Sequence, residues 1–137
     1  LVARHIIRWW QRRLQQQALG GIVASSLQAL GLHDGPAILA FSTPTCAQCH
    51  LMQKPALYQL QQQATEVQVI QIDAAAHPDL ASTFGVLMVP TTVVLDDHHR
   101  VVATNNGYAP ATKLFQQIPH APTARQSKEA EFHGSHR

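Results

Sequence analysis

The feature that most constrains this chain is the apolar run Ala37-Ile38-Leu39-Ala40-Phe41, which stops at Ser42-Thr43-Pro44-Thr45 and delivers Cys46-Ala47-Gln48-Cys49 directly afterwards. Five apolar residues behind Pro36 are too few for a helix and suit a strand covered on both faces. Thr43 and Thr45 bring capping hydroxyls, so both cysteines fall on the first turn of a helix that reaches about residue 63. Pro55 is expected to kink that helix. A strand feeding a helix in this way is one half of a βαβ unit and commits the chain to an α/β arrangement.

The flanking segments extend this plan. Residues 67–73 are β-rich, and residues 78–84 read as a short helix closed by Gly85. Two strands, 90–95 and 100–104, are joined by the turn Asp96-Asp97-His98-His99. Residues 109–118 form a last amphipathic helix with Leu114 and Ile118 on one face. A βαβ unit gives a parallel strand pair and the final hairpin an antiparallel one, so the expected fold is a central mixed sheet of four to five strands flanked by helices.

On a helical wheel, the opening segment places Val2, Ile6, Ile7, Trp9, Trp10 and Leu14 on one half. Arg4, His5, Arg8, Gln11, Arg12 and Gln15 fall on the other, and Arg13 alone breaks the pattern. A basic amphipathic helix with adjacent tryptophans suits the headgroup region of a bilayer. Gly20-Gly21 is expected to end it, with residues 22–32 forming a second short helix stopped by Gly31 and the turn His33-Asp34-Gly35-Pro36. The organisation expected is a membrane-proximal helix over 1–20, a domain over 21–119 and a polar, disordered tail over 120–137.

Composition sets the outer limits. A chain of 137 residues holds one domain and no second complete one, and 45% apolar with 13% charged residues is enough to build a core. The formal net charge of +2 argues against a general nucleic-acid binder. No stretch approaches the ~18–20 consecutive apolar residues of a spanning helix. With only two cysteines, all sulfur chemistry sits at one place.

Two cysteines three apart on a helix share a face, with Cβ atoms about 5–6 Å apart, close to what a disulfide needs. Cys46 stands beside the unpaired amides and positive dipole of the helix start, both of which favour thiolate, so it is the expected nucleophile. Cys49, a turn deeper, is placed to attack a mixed disulfide on Cys46 and release the partner.

These residues resemble the thioredoxin-like family over residues 37–118. The resemblance is carried by Cys46-Ala47-Gln48-Cys49 after a buried strand, by Val89-Pro90-Thr91 before the next β run, and by Gly107 ahead of the last helix. It implies a thioredoxin-like fold, thiol-disulfide oxidoreductase activity, a cis peptide before Pro90 against the disulfide, and backbone at Val89 presented to an extended substrate. Thr45, Ala47 and Gln48 would then support the pair, Ala47 and Gln48 by tuning its potential. No cofactor or resident metal is implied. Where similar proteins bury an Asp six residues before the first Cys, with a Lys partner on the next strand, this chain has Ala40 and Val69. Proton transfer at Cys49 would then use water, His50 or the substrate.

Other readings of the same residues compete. Cys46 to His50 also spells C-x-x-C-H, the attachment motif for c-type haem, but that motif is built on small helical folds and leaves Val89-Pro90 without a role. A structural zinc site wants four ligands, and no second Cys/His pair is suitably close in sequence. His50 reads as a solvated helix residue, as do His98 and His99 in their turn; Met52 and Met88 read as packing residues, Met88 alternatively as part of an apolar rim. Asp73 is expected to organise the turn after its strand. The function expected is exchange of a Cys46-Cys49 dithiol/disulfide with protein or peptide thiols and disulfides. The alternative is a non-catalytic redox-sensing or partner-binding module. Anchoring by a segment upstream of Leu1 would place the domain beside a membrane, with the arginine cluster favouring the cytoplasmic side over export.

Overall fold

The computed structural model describes residues 2–119, without the side chains of residues 11–20. The tail expected over 120–137 lies outside the described residues. In chain order the elements are α1 (Val2–Ala29), β1 (Ala37–Ser42), a π-helical turn (Cys49–Gln53), α2 (Lys54–Gln63), β2 (Gln68–Asp73), α3 (Pro78–Thr83), β3 (Thr91–Leu95), β4 (Val101–Asn106) and α4 (Ala111–Gln117). The sheet order is β2-β1-β3-β4. β1 pairs parallel with β2, Ala37 facing Gln68 and Ser42 facing Asp73. It pairs antiparallel with β3, which continues antiparallel into β4. The mixed four-stranded sheet flanked by helices is the thioredoxin fold expected from the sequence.

β1 is central and buried on both faces because alternate residues enter different cores. Ile38 and Ala40 join Leu57, Leu60, Val94 and Leu114 on the side of α2 and α4. Ala37, Leu39 and Phe41 join Leu27, Ile72, Leu80 and Val93 on the side of α1 and α3. Each large apolar side chain buried this way contributes roughly 1.5–3 kcal/mol. Leu114 and Ile118 are buried together, as the pattern of the last helix requires.

One expectation at the helices is corrected, and the region of Pro55 takes a specific form. Gly20-Gly21 does not end the first helix, which runs unbroken from Val2 to Ala29 and absorbs most of the expected second one. A glycine inside a helix costs about 1 kcal/mol but does not forbid it, and no proline follows to enforce a stop. The helix ends instead at Ala29, ahead of Gly31 at φ +110°, with Leu32 N–H returning to Leu27 C=O. Ahead of Pro55 the helix is not continuously α. The turn before it opens to π geometry, with Lys54 N–H donating to Cys49 C=O five residues back. Proline has no N–H for the carbonyl four residues earlier and its ring crowds that carbonyl; the wider turn relieves both. Pro55 then sits in the first turn of α2, where proline is tolerated.

The polar turns are tied by named groups. Asp73 Oδ1 accepts the amides of Ala75 and Ala76 at 2.9 and 3.3 Å. Asp96 Oδ1 accepts those of His98 and Arg100, both at 2.9 Å. Burial alone would push the Asp96 carboxyl up, but these amides and the nearby Arg100 and His98 charges hold it below the usual carboxylate range. His99 is not simply solvated: it is half-buried at φ +58°, with Nε2 3.1 Å from the carbonyls of both His33 and Gly35. Gln68, which no motif marks, sends its carboxamide N–H to the carbonyls of His33 and Gly35 and accepts His33 N–H at 2.9 Å.

Candidate functional site

The site lies where β1 delivers the chain into its first helix. Helical backbone begins at Ala47, so Cys46 stands one residue ahead of it, and the π-helical turn begins at Cys49. Cys46 and Cys49 are joined by a disulfide, with Cα atoms 5.3 Å apart. Their exposure differs: Cys46 is half-exposed, whereas Cys49 is only 4% exposed.

The capping expected of threonine is done by sulfur. Cys46 Sγ accepts the backbone N–H of Cys49 at 3.1 Å, the bond that an N-cap hydroxyl makes three residues into a helix. Cys46 N–H in turn donates to Thr43 C=O and Cys46 C=O accepts from His50 N–H. Thr45, Ala47 and Gln48 are all exposed around this turn. An amide aimed at Sγ, together with the other amides of the helix start, stabilises negative charge on that atom when the disulfide is opened.

Behind the disulfide is a cavity of about 160 Å³, lined among others by Ala40, Cys49, His50, Gln53, Lys54 and Pro90. It brings Cys49 and Pro90, forty residues apart in sequence, to one space. The Val89-Pro90 peptide is cis. Pro90 is buried, and its carbonyl accepts the N–H of Gly107 at 2.8 Å, with Gly107 at φ +91°. Val89 is half-buried and precedes β3, outside the sheet ladder. Thr91, fully buried, donates its hydroxyl to Met88 C=O at 2.7 Å and fixes this bend.

Ala40 puts no carboxylate into the cavity, and Val69 packs in the core against Ile38's neighbours. Lys54 and His50 are the titratable side chains that line it alongside the cysteine. His50 is exposed, with Nε2 3.1 Å from Pro44 C=O. Met52 and Met88, read from sequence as packing residues, are instead 46% and 51% exposed, near Leu51 and Leu87 in the same segments. Among the described residues no group of three or more His, Cys, Asp or Glu could hold a metal ion.

Gln53 is the site residue that sequence reasoning missed. It is 3% exposed and holds both polar groups of Ala109: Nε2 donates to Ala109 C=O at 3.0 Å and Oε1 accepts Ala109 N–H at 2.9 Å. The π-helical turn that carries Cys49 is thereby fastened to the segment after Gly107. The signal was present, since Gln53, Leu57 and Leu60 follow Cys49 at helical spacing and Gln53 is the polar residue in that buried row.

The thioredoxin family model matches residues 24–120. The thioredoxin of Bacillus subtilis is 30% identical over 86 residues, covering 62% of this chain and 81% of the relative. That of Rhodospirillum rubrum is 34% identical over 86 residues, with 62% and 81% covered. Among solved structures, a mutant thioredoxin from Halobacterium salinarum superposes with a TM-score of 0.58 at 26% identity, covering 67% of this chain and 79% of that one. A disulfide-forming cysteine pair at the head of a helix, set in this fold and these sequence matches, leads to one conclusion: the chain belongs to the thioredoxin family of thiol-disulfide oxidoreductases.

Proposed function

We propose that Cys46 is the attacking sulfur and Cys49 the resolving one in exchange with protein or peptide disulfides. The observation that carries this is the asymmetry of the pair: a half-buried cysteine whose sulfur receives a backbone amide, bonded to a cysteine that is almost fully buried. In the reducing direction, the Cys46 thiolate forms a bond to one sulfur of the substrate disulfide and the other leaves as thiolate. Cys49, losing its proton, then attacks Cys46 Sγ; the mixed disulfide breaks, the second substrate sulfur leaves, and the Cys46-Cys49 disulfide re-forms. Two electrons pass to the substrate and two protons follow from solvent. The oxidising direction is the same sequence reversed.

An extended substrate segment is docked beside Pro90 by the backbone of Val89, with Thr45, Ala47 and Gln48 forming the exposed rim of the pair. This reading is supported by Cys49 and Pro90 sharing one cavity and by Val89 lying outside the ladder. The basic, tryptophan-bearing first helix supports a further reading: that the exchange takes place beside a membrane, with the domain anchored on the cytoplasmic side.

Insulin reduction by dithiothreitol tests the roles. Wild type should accelerate it and Cys46→Ser should not, while reduced Cys49→Ser mixed with insulin after removal of dithiothreitol should accumulate a mixed disulfide with the substrate. Turnover retained in Cys46→Ser would overturn the assignment. Partner binding without turnover in the wild type would favour a redox-sensing or binding module.

A further inference from the structure

The exchange chemistry uses the end of the sheet and leaves the distal part of α1 without a role. Residues 2–10 are all exposed. At about 100° per residue, Val2, Ile6, Ile7, Trp9 and Trp10 fall in one sector, and Arg4, His5 and Arg8 in another. Trp9 and Trp10, each about half exposed, meet edge to face at 5.9 Å. The sequence adds Arg12 and Arg13, and the first acidic residue of the chain is Asp34.

The same helix docks on its own domain through Val23 and Leu27, which belong to the core beneath it. Helical geometry rotates that docking side about 100° away from the centre of the apolar sector. Trp9, eighteen residues before Leu27, falls at the same angle, while Ile6, Trp10 and Ile7 turn progressively away from it, so most of the apolar sector is directed elsewhere, with Arg4, His5 and Arg8 beyond its border. A long helix of this kind needs an occupant that accepts tryptophan and isoleucine and offers negative charge beside them. No helix among the described residues is long and apolar enough to cross a membrane, so the fit is to lie along one.

We propose that α1 lies on the surface of a bilayer rich in anionic lipid, with Trp9 and Trp10 at the headgroup boundary and Arg4 and Arg8 against lipid phosphates. This rests on the membrane-side reading above and commits it to a lipid charge and to named residues. A second copy of the chain is the rival occupant, but it would bring the same arginines to the shared face and repel.

The two tryptophans are the only ones in the chain, so fluorescence excited to the red of the tyrosine band, which leaves Tyr58 and Tyr108 silent, reports this helix alone. The full chain is titrated with vesicles of phosphatidylcholine alone and of phosphatidylcholine mixed with phosphatidylglycerol. The expected result is a blue shift and co-sedimentation with the mixed vesicles only, reversed by high salt. Arg4→Gln with Arg8→Gln should weaken partitioning roughly 25-fold, at about fivefold per charge, with insulin reduction unchanged. Trp9→Ser with Trp10→Ser, followed by sedimentation, should lose binding while keeping insulin reduction. Equal binding to both vesicle types overturns the anionic-lipid proposal and leaves the membrane-side reading standing. Binding to neither overturns both. A blue shift that grows with protein concentration without vesicles assigns the face to a second copy and overturns the proposal.

Discussion

Replacing Gln53 with leucine should weaken the fold far more than a helix-surface substitution would, because of what it leaves behind. Leucine fits a similar volume but forms neither bond to Ala109, so an N–H and a C=O are orphaned beside a residue that is 0% exposed. Each orphaned group costs about 1–3 kcal/mol. Sparing the burial of a carboxamide offsets part of this, giving a net loss of about 2–4 kcal/mol. Against the roughly 5–15 kcal/mol that holds an ordinary domain, that is a large fraction. With a urea slope of about 2 kcal/mol per molar, the unfolding midpoint should fall by about 1–2 M at unchanged slope. Far-ultraviolet circular dichroism is the appropriate readout, because both tryptophans lie in the first helix and report poorly on the domain. A midpoint shift corresponding to less than about 0.5 kcal/mol would refute the reasoning, since ordinary surface changes fall within that range.

Three further outcomes are expected. In the reduced protein, iodoacetamide should label Cys46 well before Cys49, as peptide mass spectrometry would resolve; equal rates would contradict the exposure difference. Ala40→Asp places a carboxyl in the cavity beside Cys49, where burial raises its folded-state pKa. Its stability relative to wild type should therefore fall as pH rises from about 4 toward that raised value, by about 1.4 kcal/mol for each unit of the rise, as urea midpoints at successive pH would show. Asp96 has the opposite sign. Its depressed folded pKa means the contribution of its turn is complete above the unfolded value of about 3.9 and is lost only as pH falls through the lower folded value. The amide signals of His98 and Arg100 should titrate with a midpoint below the ordinary carboxylate range, and a midpoint above it would contradict the assignment.

Much of this architecture was legible because it rests on local signals. Residues 37–41 form one apolar run whose alternate members feed two cores, which is why no period-two pattern shows there. Pro78, Gly85 and Gly107 mark their turns by backbone chemistry alone. What escaped depended on pairings between distant residues. The Gln53 clamp needs Ala109, the Gln68 bonds need His33 and Gly35, and His99 reaches across sixty-odd residues to the same carbonyls. The π-helical turn escaped for a different reason: the missing N–H at Pro55 is accommodated in more than one way, and sequence does not choose among them. Thr43 and Thr45 were plausible caps by composition, but the side chain one residue ahead of the helix is Cys46, and its sulfur takes the amide.

With Cys46 as the proposed attacking sulfur, the amide that points at it would act on departure as well as on attack. A sulfur whose anion is eased becomes a better leaving group, while its intrinsic nucleophilicity falls less than proportionally, with a Brønsted slope of about 0.4–0.5. In the exchange proposed above, external bonds would form and cleave at that one atom, in whichever direction electrons travel. Cys49, shut inside with its own carbonyl engaged by Lys54, would on the same proposal close or open the internal bond alone.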